Sequence, residues 1–318
     1  MEASEKWYEQ KEVIKTNRPV KFLVFLVRIL PLPVLAFFTP IVGFFYYVFS
    51  GQARIYCRQY QKQLYFFSGQ KSKRVNTFAQ IASFALCIVE KISAWSGKIH
   101  LKDIVFQNDD VEELKMFLGE GKGAYIMTSH LGNAELLRCL ATLNETGVRR
   151  NVEVTAVMDI EASEFNKTLR EINPDSAIHL VNASEISIDT IGQLQESVKN
   201  GGLVVIGSDR TSPSSPERTV PCDFLGRRAM FPYGSFLLAF LINAPVYFVF
   251  AARQKTFMLC PRYDMYVYRA KSLSESKAVP RAERHAKIEE LCFEFVKILE
   301  NLCILYPYQW YNFYNYWQ

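Results

Sequence analysis

Ala124-Tyr-Ile-Met-Thr-Ser-His-Leu-Gly-Asn-Ala-Glu-Leu-Leu-Arg138 sets an apolar strand directly against a polar turn. The strand runs out at Thr128 and Ser129, His130 follows at once, and Gly132-Asn133 make a turn before a helix that begins near Ala134. On one regular helix, residues five apart lie about 140° apart and cannot meet. With the turn between them, His130 sits on the loop and Glu135 swings beside it from the first helical turn, where the helix dipole favours an acid. An imidazole held by a carboxylate is a general base. The acid fixes the tautomer and stabilises the imidazolium as a proton is taken from an attacking hydroxyl.

Outward from this stretch the chain alternates. Apolar strands are expected at Gly123 to Thr128, Val152 to Met158, Ala177 to Val181, Leu203 to Gly207 and Val246 to Ala251, with a short strand near Lys98 to Val105. Helices are expected between or beside them at Arg74 to Ile92, Asp110 to Leu118, Ala134 to Leu143, Ser163 to Ile172, Ile186 to Lys199 and Tyr233 to Ile242. Arg284 to Leu305 carries an apolar face at helical spacing. This rhythm predicts an α/β fold with a mostly parallel central sheet flanked by helices, and ligands in such folds gather outside the carboxyl ends of the strands.

Upstream, the composition changes. Residues 13 to 89 hold ten basic residues and no Asp or Glu, so the positive excess of a chain whose net charge is +5 sits in this block and the rest is net acidic. The same block contains Phe22 to Phe49, an apolar run whose only charge is Arg28 and which is long enough to span a bilayer. Pro31, Pro33 and Pro40 argue against one straight helix. A kinked span and a re-entrant or interfacial hairpin remain, with a buried core hairpin as the alternative to both. The basic and aromatic flanks suit an anionic cytoplasmic leaflet. The division expected is a membrane-anchoring segment at 1–70 and a catalytic α/β domain at 71–318. Nucleic acid is not the partner expected, because the basic residues flank a greasy stretch instead of forming a soluble face.

Several other chemistries are absent from the pattern. Seven cysteines and four histidines show no metal-ligand spacing and no disulfide framework. Gly119-Glu-Gly-Lys-Gly123 and Asn200-Gly-Gly202 each follow a helix and precede a strand, the reverse of a phosphate cradle, and read as helix C-caps. No Gly-x-Ser-x-Gly elbow is present, which speaks against a covalent acyl-enzyme of the α/β-hydrolase kind. His100, His179 and His285 lack a carboxylate at motif spacing and read as surface or packing residues.

His130-Leu-Gly-Asn-Ala-Glu135 resembles the His, four residues, acid signature of the lysophospholipid acyltransferase superfamily, in its branch of bacterial lipid A biosynthesis acyltransferases and related proteins. The likeness continues through Leu203-Val-Val-Ile-Gly-Ser-Asp-Arg210, then Arg218-Thr-Val-Pro-Cys-Asp-Phe-Leu-Gly-Arg227 and Ala229-Met-Phe-Pro-Tyr-Gly234. Ala244-Pro-Val-Tyr-Phe-Val-Phe250 and the aromatic close Gln309-Trp-Tyr-Asn-Phe-Tyr-Asn-Tyr-Trp317 complete it, in the family's order. Glycerol-phosphate acyltransferases of the superfamily carry Phe-Pro-Glu-Gly-Thr where this chain has Gly207-Ser-Asp-Arg210, so the acceptor implied is the hydroxyl of another lipid, bearing a sugar, amino acid or polyketide.

The resemblance implies a membrane-associated enzyme at the cytoplasmic face of the inner membrane, moving a fatty acyl group from acyl carrier protein or coenzyme A to a lipid hydroxyl. No metal or other cofactor is required, since a thioester is already activated. His130 would be the base, with Glu135 orienting it. Arg210 would contact the donor or the oxyanion, with Asp209 holding it in a bidentate pair. Asn133, Asp209, Arg210, Arg218, Arg227 and Arg228 form the candidate substrate-binding set, the last three as phosphate contacts. A thioesterase or lipase on the same scaffold, with water as acceptor, is the alternative activity. The terminal aromatics either pack on the sheet, line an acyl slot or meet the membrane interface.

Overall fold

The computed structural model describes residues 18–137, 148, 152–158, 178–211, 215–273 and 282–317. Nine strands are present among them: β1 (Ile104–Phe106), β2 (Ala124–Thr128), β3 (Val154–Met158), β4 (Ile178–Asn182), β5 (Leu203–Gly207), β6 (Thr219–Phe224), β7 (Arg227–Pro232), β8 (Val246–Arg253) and β9 (Tyr263–Arg269). Seven of them form one sheet in the order β1-β9-β8-β2-β5-β3-β4, with β6 and β7 paired apart from it. Every neighbour in the sheet is parallel except the β8–β9 pair, so the expected α/β fold with a mostly parallel sheet is the fold observed.

Both faces of the sheet centre are covered. All five residues of β2 are buried: Tyr125 and Met127 enter one core with Phe248 and Phe250 of β8, while Ala124 and Ile126 enter another with Tyr247 and Val249. A strand buried on both sides has no polar face to display, which is why β2 and β8 read as continuous apolar runs. α6 (Ile188–Lys199), α7 (Tyr233–Ile242) and α8 (Arg284–Leu305) close the first face through Leu194, Phe236 and Phe295. α5 (Asp110–Gly119) closes the second through Val111, Leu114 and Leu118. Gly121 and Gly201, at φ +79° and +80°, leave α5 and α6 as the C-cap reading requires. The expected helix Ser163 to Ile172 and the end of that at Ala134 to Leu143 lie outside the described residues.

The N-terminal apolar run divides at Pro31 into α1 (Arg18–Ile29) and α2 (Leu32–Phe49), followed by α3 (Gly51–Phe67) and α4 (Thr77–Trp95). Pro33 sits in the first turn of α2, where a missing N–H costs nothing. Pro40 lies inside α2 and leaves the carbonyl of Ala36 without its amide; the hydroxyl of Thr39 donates to that oxygen at 2.8 Å instead. The break at α1 is held by Lys98, whose ammonium donates to the carbonyls of Val27, Arg28 and Leu30.

α2 buries Leu35, Ala36, Thr39 and Gly43 and presents Phe37, Phe38, Phe44, Phe45 and Phe49 outward, the last 82% exposed. Gly43 is required where α2 crosses α4, since a Cβ there would stand 2.9 Å from Cα of Ala82. Both α2 and α4 are long and apolar enough to cross a membrane, but α4 is largely enclosed by protein. The segment does not stop short of the core: Tyr60, Leu64 and Tyr65 of α3 belong to the same apolar cluster as the α6–α8 face.

Candidate active site

The register of two neighbouring strands builds the site. β2 and β5 run parallel with Thr128 opposite Gly207 at their carboxyl ends. Two residues further along each strand, His130 and Asp209 stand abreast, although 79 positions separate them in sequence. Nδ1 of His130 lies 2.7 Å from Oδ1 of Asp209, and the backbone N–H of His130 donates to Oδ2 at 2.9 Å. The carboxylate is fully out of solvent, whereas the imidazole is 34% exposed. No described residue engages Nε2, so the ring offers its second nitrogen outward.

The loop that carries His130 is pinned from several directions. Gly132 adopts φ +67° with its α-carbon so close to β8 that a Cβ would fall 2.0 Å from the carbonyl oxygen of Ala251. Asn133 donates its backbone N–H to that same oxygen at 2.8 Å, Gly132 donates to the carbonyl of Gln309 at 2.7 Å, and Tyr311 donates to the carbonyl of His130 at 3.0 Å. Cys87 of α4 reaches the carbonyl of Gly132 at 3.3 Å.

Glu135 takes a different place from the one its spacing suggests. The chain after Asn133 enters a 3-10 turn, Ala134–Leu137, which points the Glu135 carboxylate toward α4, where it accepts a 2.8 Å hydrogen bond from the indole of Trp95. The acid that orients Nδ1 is Asp209. The expected Asp209–Arg210 bidentate pair is likewise replaced. Both oxygens of Asp209 are spent on His130, Trp310 and Asn312, and the Arg210 guanidinium donates to Oδ1 of Asn312 at 2.6 Å and to the carbonyl of Tyr311 at 2.7 Å. Parallel register brings residues from distant strands together more firmly than a short loop can, and a single sequence does not display it.

The electrostatics follow from this packing. Burial lowers the His130 pKa below its ordinary value, the positive charge of Arg210 lowers it further, and Asp209 offsets only part of both. Burial raises the Asp209 pKa, but the facing imidazole, its hydrogen bonds and the Arg210 charge outweigh that and hold it at about 2. At neutral pH the pair is therefore an ionised carboxylate beside a neutral imidazole, the state a general base starts from. Close to the pair in sequence, two buried polar atoms have no hydrogen-bond partner among the described residues: Nδ2 of Asn133 and the hydroxyl of Ser208. A buried polar atom left without a partner is costly, so these two call for an explanation.

A family model described as bacterial lipid A biosynthesis acyltransferase matches residues 14–318. The chain belongs to that family. Membership supports an acyltransferase-type activity, and together with α2 and α4 it supports membrane association. A search of curated proteins finds no match.

For this acyltransferase-family chain the three hairpin arginines stand apart from the pair. Arg218, Arg227 and Arg228 are exposed, none bonds to His130 or Asp209, and the Arg227 guanidinium lies 5.7 Å over the ring of Trp317. Arg218 immediately precedes β6, and Arg227 and Arg228 open β7 of the β6–β7 hairpin, whose two-residue turn at Leu225 and Gly226 has φ of 52° and 76°. That is a tight hairpin turn of the primed kind, and it explains the Phe-Leu-Gly-Arg stretch as backbone geometry. The terminal aromatics prove to be part of the site's frame: Trp310, Asn312 and Tyr316 all bond to Asp209. Their density was visible in sequence; that they surround Asp209 was not.

Proposed function

We propose that the protein is a membrane-associated acyltransferase that moves a fatty acyl group from the thioester of acyl carrier protein or coenzyme A to a hydroxyl of a lipid or glycolipid. The observation that carries this reading is the one-third-exposed imidazole of His130 at the sheet's carboxyl edge, its Nδ1 engaged by a fully buried Asp209. Nδ1–H directed at the carboxylate leaves a lone pair on Nε2. That nitrogen takes the proton of the acceptor hydroxyl as the alkoxide oxygen attacks the thioester carbonyl. The tetrahedral oxyanion then collapses, expelling the thiolate, and the imidazolium returns the proton to sulfur. No acyl-enzyme forms on this path.

Asp209 carries the orienting role, and Glu135 positions the loop through Trp95. Asn133, buried with a spare N–H pair, supplies a donor to the oxyanion. Arg210 stabilises the charge through its field, and Arg218, Arg227 and Arg228 offer cations to donor or acceptor phosphates. The anchor at 1–70 places the catalytic part, 71–318, at the cytoplasmic face of the inner membrane, where both the thioester carriers and an acceptor lipid meet.

The test supplies acyl-carrier-protein and coenzyme A thioesters with a bacterial total-lipid extract and follows products by mass spectrometry. New acylated lipid formed by the wild-type chain, and reduced by about 10²–10⁴-fold in folded His130→Ala, is the expected result. Free acid released at the same rate with and without lipid, and no acylated product, would place the protein among thioester hydrolases instead.

A further inference from the structure

We propose that Trp310 and Asn312 are positioning residues of the acyl-transfer reaction, which fix the carboxylate of Asp209 so that one oxygen is reserved for the His130 imidazole. The inference rests on the His130–Asp209 reading above and deepens it. Oδ2 of Asp209 receives three donors, the backbone N–H of His130 at 2.9 Å, the indole N–H of Trp310 at 3.1 Å and the amide of Asn312 at 3.1 Å. An ionised oxygen so saturated cannot swing toward the imidazole, and Oδ1 is left to face Nδ1 at 2.7 Å.

The rest of the segment fixes these two donors. The hydroxyl of Tyr316 donates to the carbonyl of Asp209 at 2.9 Å, and Tyr311 ties its own backbone to His130 at 3.0 Å. Oδ1 of Asn312 meanwhile takes Arg210 Nε, so the same amide keeps the cation off the carboxylate and orients it. Ring packing alone would not need such a pattern, since indole and amide N–H groups could have faced any of the nearby carbonyls.

Donors to an ionised carboxylate draw charge from it and so weaken its pull on the imidazolium. Losing one makes Asp209 a stronger partner, raises the His130 pKa and moves the acid limb of the rate profile to higher pH. The charged and titratable groups that act on the pair are Lys91 of α4, Arg210 beyond β5, Tyr314 and Tyr316 of the terminal segment and Cys303 of α8. None of them is changed in the variants below.

The experiment compares Trp310→Phe and the uncharged Asn312→Leu, in which Arg210 keeps its bond to the Tyr311 carbonyl, with Trp317→Phe in the full-length protein. Trp317 lies in the same aromatic cluster, but its indole donates to the carbonyl of Phe224 at 3.0 Å. All three should cost some stability. Only the first two should lower kcat, roughly tenfold, with donor KM nearly unchanged and the acid limb displaced upward. A 13C-histidine NMR titration, with the His130 signal assigned by its absence in His130→Ala, reads the same upward shift without turnover. If Trp310→Phe does not fold, Asn312→Leu carries the test at the other donor. Limbs and titrations identical to those of Trp317→Phe would overturn the proposal. An upward NMR shift in a protein without transferase activity would uphold the positioning and overturn the functional reading instead.

Discussion

The carboxylate of Glu135 accepts the indole N–H of Trp95 at 2.8 Å, so the acid of the His-x-x-x-x-Glu spacing is bonded to α4 and not to the imidazole. Two acids of the site can thereby be told apart. Gln at 135 still accepts from Trp95, and Glu135→Gln should lose several-fold in kcat with an unmoved acid limb. Asp209→Asn should lose about 10³–10⁴-fold, because the tautomer is no longer enforced. Steady-state rates of the two folded variants, side by side, decide this; a deeper loss in Glu135→Gln would return the orienting role to Glu135.

The rate should depend on pH in one direction through the neutral range. His130 must be unprotonated, and its pKa lies below the ordinary 6.5, lowered by burial and by Arg210. Activity should rise with pH through an inflection below 6.5 and then level. Asp209 raises the His130 pKa, so Asp209→Asn should carry the residual inflection to lower pH, and Arg210→Met should carry it upward. Profiles of kcat/KM measured between pH 4.5 and 8, after controls for stability at each pH, would show the two displacements in opposite directions.

Gly132→Ala should be among the most damaging single substitutions outside the pair. The new Cβ would stand 2.0 Å from the Ala251 oxygen in a backbone conformation at φ +67°. Strain and loop displacement together should cost about 2–4 kcal/mol and remove most activity. Urea unfolding gives the first quantity and the lipid-acylation assay the second; a wild-type midpoint with wild-type turnover would contradict the described loop.

Arg253 and Glu90 form an ion pair with each side chain 1% exposed, and Ser83 and Tyr311 share the guanidinium. Removing one partner leaves the other charged and buried, and Glu90→Leu should cost about 3–5 kcal/mol. The double change Glu90→Leu with Arg253→Met should recover a large part of that loss. A thermal or urea melt of the three proteins measures the coupling.

Membrane binding should reside in the outward face of α2. Phe38 and Phe45, 52% and 56% exposed, contact no core, so Phe38→Asp with Phe45→Asp should leave the fold intact and reduce flotation with vesicles containing anionic lipid. Unchanged flotation at low and high salt would exclude this face as the anchor. Deleting residues 13 to 62 is a poorer test, because it would strip Tyr60 from beside Trp310, 4.9 Å away ring to ring.

Much of the fold was legible because burial writes itself into local pattern. β2, β5 and β8, α6, α7 and α8 all fall within a few residues of the expected bounds. The hairpin β6–β7 and the strand β9 were not anticipated: Arg227 and Arg228 break the apolar rhythm of β7, and the turn is set by φ at Leu225, which no residue preference announces. His130 was evident from its place at a strand end. Its partner was not, since Asp209 meets it only through the β2–β5 register, and Glu135 was the nearer acid in sequence.

Because that register sets the pair, His130 and Asp209 should respond very differently to added and deleted residues. Length changes in the connections between β2 and β5, outside the pinned loop at residues 129–135, leave Thr128 opposite Gly207 and should cost the proton transfer little. A single residue inserted within β2 or β5 would turn every following side chain to the other face and separate the imidazole from its carboxylate. The chemistry is thus insulated from drift in the more distant connections and exposed to drift in ten residues of strand and in the short loop that carries His130.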